Sequence, residues 1–222
     1  MMKTAHAVLS LCLAGSFAAH ADDATRPAVS SLTRPKEATQ PVDARGFIHR
    51  WVVLEPVPVP TGLTESAVEE ALKLAALSDA AAQSRDGAKV SVNGAEYAWH
   101  ALDTLHYNVN LYHFAWALSK PTSNVLFWAE TIVDSPREMQ DVRLAIGSNA
   151  ASRWWLNGDA VIALNDDRQS VIDDGVSRRV TLRQGRNVIR AAIINGGGAT
   201  DFCARFLDEN DKPIQGLSVS LQ

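Results

Sequence analysis

An all-β fold, an antiparallel two-sheet sandwich or jelly roll with one inserted α-helix, is predicted by three observations on this 222-residue chain. Apolar and other side chains alternate at period two along much of residues 46–222, which sorts them to opposite faces of strands. Asn-Gly dipeptides at 93–94 and 157–158 stand between such runs, and this dipeptide tolerates the two positive φ angles of a type I′ hairpin turn. Only one stretch repeats its apolar residues persuasively at helical spacing, and one helix cannot supply the crossovers that parallel strands need. The alternating runs add up to roughly nine or ten strands, enough for two stacked sheets.

The chain begins with Lys3, an apolar run from Ala7 to Phe17 and the triplet Ala19-His20-Ala21, the pattern of a cleaved export leader over residues 1–21. The run is too short to span a bilayer, so the expected destination is the periplasm or the cell exterior. Asp22 to Arg45 carries Pro27, Pro35 and Pro41 among small and charged residues without one aromatic, the composition of a disordered linker. One domain is expected over residues 46–222. Its first strand lies in Gly46 to Pro56, where Phe47, His49, Trp51 and Val53 alternate with Ile48, Arg50, Val52 and Leu54; apolar groups on both parities predict cover on both sides. Pro56, Pro58 and Pro60 end it.

Ser66 and Glu69 form a capping box for the helix, in which Val68, Ala71, Leu72 and Ala75 share one face. Val90 and Val92 lead into Asn93-Gly94, and Tyr97, Trp99 and Ala101 lead out. Tyr107, Val109 and Leu111 continue the alternation, followed by Phe114 and Trp116, and Val125 to Val133 is a longer strand. The centre of the chain is Val142 to Val161. There Val142, Leu144 and Ile146 share a face, and Trp154 to Asn157 is expected to fold back on Asp159 to Leu164 through Asn157-Gly158. Val176, Val180 and Leu182, then Arg186 to Ile194, then Phe202 to Leu207 complete the strands, separated by turns at Gly185 and Gly196 to Gly198.

At 46% hydrophobic and 21% charged, the chain has enough apolar material for one sizeable core. A net charge of −4 provides no basic field for nucleic acid or for an anionic membrane. Loss of Cys12 with the leader leaves Cys203 without an intrachain partner. Its expected role is that of a small buried hydrophobe.

Three segments carry a family resemblance. GFIHRWVVLEP (46–56), LAIGSNAASRWWLNGDAV (144–161) and VTLRQGRNVIRAAIINGGGATDFCARFLD (180–208) resemble the galactose-binding-like β-sandwich domains of secreted bacterial polysaccharide-degrading proteins. The resemblance covers most of Gly46 to Leu217. It implies a carbohydrate-binding module or accessory protein, working on a polysaccharide or oligosaccharide beside a secreted carbohydrate-active enzyme. Some relatives are labelled acetylxylan esterase, which implies a small carbohydrate esterase as the alternative. Glu55-Pro56-Val57 departs from the Gly-Pro-Phe common in that family, and Asn149-Ala150 replaces an acidic pair that would serve a cation or ligand. A sandwich with a purely structural or assembly role and no small ligand is the third expectation.

Within this frame the candidate carbohydrate-binding residues are Trp154, Trp155, Arg153, Asn157 and Trp99, with Trp128 a weaker case. Adjacent tryptophans on a strand point to opposite faces, so one ring belongs to the core and the other is available to stack on the apolar face of a sugar ring. Arg153 and Asn157 would bond hydroxyls, although Asn157 is also explained by its turn, and Asn187 is expected to tie a loop through its amide. No cofactor is expected, and a structural calcium is the one ion that Asp166, Asp167, Asp173 and Asp174 would suit; nearby Arg168, Arg178 and Arg179 offer to neutralise them instead. His49, His100, His106 and His113 lack metal-ligand spacing. No catalytic residue is expected: Ser148 lacks a nucleophile elbow, and nothing in the spacing of Glu130 with Asp173 or Asp174 marks a carboxylate pair.

Overall fold

The structure, a computed structural model, describes residues 32–60, 62–77 and 84–221. The expected leader and residues 22–31 of the expected linker lie outside the described residues. In chain order β1 (Leu32–Thr33), β2 (Thr39–Pro41), β3 (Arg50–Leu54) and β4 (Val57–Pro58) precede helix α1 (Glu65–Leu74). Next come β5 (Lys89–Val92), β6 (Ala95–Thr104), β7 (Val109–Asn110) and helix α2 (Leu111–Ala117). The strands that close the chain are β8 (Val125–Ser135), β9 (Met139–Ser148), β10 (Ala151–Leu156), β11 (Asp159–Leu164), β12 (Gly175–Val176), β13 (Val180–Leu182), β14 (Gly185–Asn195), β15 (Asp201–Leu207) and β16 (Ser218–Ser220).

These strands form two sheets with antiparallel pairing throughout, the all-β sandwich expected from the alternation. The larger runs β1-β6-β3-β8-β14-β10-β11, with β5 on β6, β4 and β16 on β8, and β2 on β16. The smaller runs β12-β9-β15-β7, with β13 on β9. Trp51, Phe127 and Trp154 from the larger sheet meet Leu144, Ile146, Phe202 and Phe206 from the smaller in the main core. At its centre Trp51, Trp154 and Phe202 meet edge to face, with centroids 4.9–6.2 Å apart, the arrangement ring quadrupoles favour. Both buried indole N–H groups are satisfied, Trp51 donating to the Ile48 carbonyl and Trp154 to Ser152 Oγ.

A second apolar layer covers part of the outer face of the larger sheet. Val68, Ala71 and Ala75 of α1 and its C-terminal end lie on Val52, Leu54, Leu126, Trp128 and Ala192, and Trp128 Nε1 donates to the Ala75 carbonyl at 2.9 Å. This double cover explains why Val52 and Leu54 of β3 are buried as fully as Trp51 and Val53 on its inner face. The central stretch links the two sheets. β9 belongs to the smaller and β10 to the larger, and the chain crosses between them at Asn149-Ala150. A Cβ on Gly147 would lie 2.4 Å from the Val171 carbonyl oxygen, so this crossing requires glycine. The hairpin that follows turns as expected, with φ of 54° at Asn157 and 91° at Gly158, and Asn93-Gly94 repeats the geometry at 51° and 77°.

Four details differ from the sequence expectation. Helix α1 is capped by Thr64, whose side chain accepts from Ala67 N, two residues before the expected Ser66. A second helix, α2, replaces the strand expected through Phe114 and Trp116: Asn110 Oδ1 caps His113 N at 2.7 Å, and Leu111, Phe114 and Ala115 form its buried face. Residues 32–45, expected as the end of a linker, are instead laid on the larger sheet. β1 pairs with β6 and β2 with β16, Val42 is buried, and the Arg50 guanidinium donates to the Glu37 carbonyl while forking onto Asp103. Finally, the described residues form sixteen strands rather than nine or ten, because short pairings such as those of β4 on β8, β12 on β9 and β16 on β8 add to the expected runs.

Candidate functional site

The two adjacent tryptophans of β10 part company as strand geometry requires. Trp154 is fully buried in the main core. Trp155 points to the outer face, where it is half-buried and packs on Trp128 with centroids 5.8 Å apart and planes tilted by 35°. Register explains the pairing: β10, β14 and β8 align Arg153 with Ala192 and Trp128, and Trp155 with Arg190 and Glu130, so small Ala192 leaves room for the two rings to meet diagonally.

Trp155 and Trp128 form the apolar floor of a groove of about 690 Å³ along the outer face of the larger sheet. Its polar lining comes from Glu130, Arg183, Arg186, Arg190 and the Asn157-Gly158 turn. Glu130 accepts from Arg190 Nε at 2.9 Å and Nη2 at 2.6 Å, and from Ser84 Oγ at 2.5 Å. Only 3% of its side chain is exposed, against 21% for Arg190, so the guanidinium is the part of the pair that a ligand would meet. Arg183 and Arg186 are exposed and make no ion pair among the described residues.

Asn187 braces this rim. Fully buried, it accepts from Arg183 N and from Asn157 Nδ2, and donates to the carbonyls of Arg183 and Gly185. The amide thus ties its own loop, as expected, and also clamps the neighbouring hairpin. Asn157 adds a bond from Val188 N to its Oδ1, so most of its amide holds the turn to β14. A second cavity of about 440 Å³ lies on the other side of Trp155, walled by Glu65, Glu69 and Leu72 of α1 and its approach. The indole therefore stands between two cavities.

Of the expected binding residues, the structure brings Trp155 and Asn157 to the groove. Trp154 serves the core. Trp99 is 2% exposed beneath the second apolar layer, which leaves no ring face for a ligand. Arg153 is 7% exposed, and its guanidinium is occupied by Glu69, Asn165 and the carbonyls of Ser152 and Leu164. It fastens α1 to the edge of the sheet rather than facing solvent. Glu130, Arg183, Arg186 and Arg190 were missed as a group. They share the groove because Glu130 and Arg190 are paired in register across β8 and β14 and because Arg186 at the start of β14 and Arg183 just before it line the same cavity.

The other sequence candidates are dispersed. Ser148 is 1% exposed and donates to the Asn149 carbonyl, with no histidine on its hydroxyl. Asp173 is held by Arg205 and Asp174 by Arg168, so guanidinium groups engage the carboxylates a calcium ion would use. No group of three or more His, Cys, Asp or Glu suited to a metal occurs among the described residues. His49 bridges Asp43 and the Thr104 carbonyl, while His100 lies against Glu55. Cys203 is buried, and burial pushes its thiol up to about 11, so it is a poor nucleophile at neutral pH.

No family model and no curated protein matches the chain. Solved structures with a similar course include a beta-glucosidase from Kluyveromyces marxianus in complex with glucose, at TM-score 0.40 and 12% identity over 72% of this chain and 17% of that one. A GH31 alpha-xylosidase from Xanthomonas citri follows at TM-score 0.32 and 10% identity over 86% and 17%. A family 35 carbohydrate-binding module from Clostridium thermocellum is matched at TM-score 0.28 and 16% identity, over 78% of this chain and 99% of that one. This chain therefore spans only a small part of either enzyme.

Proposed function

We propose that this sandwich binds carbohydrate in the groove on the outer face of its larger sheet, as a module or accessory protein of polysaccharide breakdown. The observation that carries the reading is Trp155: a half-buried indole held by Trp128 on the floor of a groove of about 690 Å³ with polar groups around it. An aromatic face of this kind stacks on the C–H face of a sugar ring, and polar groups at its margin orient the hydroxyls. The sequence resemblance to sandwich domains of secreted polysaccharide-degrading proteins supports the same reading. The leader expected over residues 1–21 would deliver the protein to such polymers outside the cytoplasm, where its partner would be a secreted carbohydrate-active enzyme.

The test is a glycan array probed with the protein and with Trp155→Ala. Retention on at least one glycan by the wild type, lost in the variant while the melting temperature changes little, is the expected result. Failure of the wild type to retain any glycan would replace the reading with that of an assembly module.

A further inference from the structure

We infer that the groove selects acidic saccharides, in which a sugar ring lies on Trp155 and a carboxylate or sulfate is held by Arg183 and Arg186. The inference rests on the carbohydrate reading and adds the charge of the ligand to it. Three guanidinium groups and one carboxylate line the cavity. Glu130 cancels one of the three, because its carboxylate is engaged by Arg190 and sunk beneath it. Arg183 and Arg186, ion-paired to no described residue, therefore stand beside an apolar ring, in a protein whose net charge is −4. An excess of positive charge in a concave, partly apolar site focuses attraction on anions, while the rest of the surface repels them.

No other acidic side chain near these arginines is ion-paired to them. Asp134 lies opposite Arg186 in the strand register and accepts from Ser220 Oγ, Glu138 and Asp159 share a neighbouring cavity with Arg183, and none of the three carboxylates is within ion-pair distance of either guanidinium. The two arginines are also built on a braced frame. They flank Gly185, which takes the turn at φ of 75°, and Asn187 holds the loop at Arg183 N, the Arg183 carbonyl and the Gly185 carbonyl. Fixing the loop in advance lowers the ordering cost of binding. A guanidinium fork matches the paired oxygens of a carboxylate or sulfate, which an ammonium does not. A neutral sugar would use the indole but leave both guanidinium groups to water.

The experiment is calorimetric titration of the protein with three probes of similar length: an oligogalacturonate, the matching neutral galactose oligomer and a sulfated galactose oligomer. The acidic probes should bind about tenfold or more tighter than the neutral one at low salt, and the difference should shrink as salt rises. Arg183→Ala/Arg186→Ala, at exposed positions, should retain the wild-type melting temperature and lose the preference. Trp155→Ala should abolish binding of all three probes. Comparing the two acidic probes distinguishes carboxylate from sulfate as the preferred anion. Equal affinity for acidic and neutral probes, or an unchanged preference in the double variant, overturns the inference and leaves the carbohydrate reading standing. Failure of all three probes to bind, while the same protein captures no glycan on an array, overturns both.

Discussion

Trp154 and Trp155 are neighbours in sequence and identical in chemistry, yet the two faces of one strand give them different tasks. The inner face is covered by a second sheet, so Trp154 has Trp51 and Phe202 as its edge-to-face partners and no contact with water. The outer face is covered by α1 only in part, so Trp155 has one ring partner, Trp128, and keeps an open side toward the groove. What separates a core ring from an accessible one here is the layer above it. A sheet that extends beyond its covering helix exposes whatever its alternation places there.

The sharpest way to break the comparison is to truncate the inner ring. Trp154→Ala should cost about 3–5 kcal/mol of stability, read from denaturant unfolding, and any loss of ligand should follow the loss of fold. A cost near that of an exposed residue would mean that the sheets are not packed as described. Asn187→Ala comes next, at about 2–3 kcal/mol, because several buried polar groups lose their partner at once. Glycan binding should weaken as well, since Arg183 and the Asn157 turn would lose their brace; a loss of stability with binding intact would separate Asn187 from the groove. Trp155→Ala should cost only about 1–2 kcal/mol, the value of one ring pair and half-buried apolar area, yet abolish binding. Equal costs for the two tryptophans would erase the distinction between the faces.

The smallest effect concerns pH and lies away from both tryptophans. Burial alone pushes the Glu55 carboxyl up, but bonds from Lys120, Ala98 N and His100 outweigh it and hold the group below its ordinary 4.5. Because the folded value is the lower one, the charged pair stabilises the fold above about 4.5 and the contribution disappears as acid protonates Glu55 in the folded state. In thermal melts, the advantage of the wild type over Glu55→Gln should therefore narrow as pH falls through that region. A constant difference at every pH would remove Glu55 as a source of acid lability.

Much of the fold was legible because each strand carries its own evidence of two faces. The runs at Arg50–Leu54, Val125–Ser135 and Gly185–Asn195 appear where the alternation and the double-sided apolar pattern place them, and both Asn-Gly turns have the geometry that their residues favour. Helix α2 was hidden because Tyr107, Val109 and Leu111 alternate directly into it. Only Asn110 before Leu111, Phe114 and Ala115 marks the change of period. The β1 and β2 segments escaped because their hold on the sheet is through backbone ladders and Arg50, which composition does not report. At the site, alternation separated the two rings but did not say which would be covered. Glu130 and Arg190 stand sixty residues apart, and nothing local records that antiparallel register sets them face to face.

Helix α1 enters between β4 and β5 as a single excursion, fastened chiefly through Trp128, Arg153 and an apolar patch outside the main core. None of its buried side chains belongs to the aromatic nucleus between the sheets. Since one side of Trp155 faces that helix, changes at Glu65, Glu69 or Leu72 would alter what surrounds the indole.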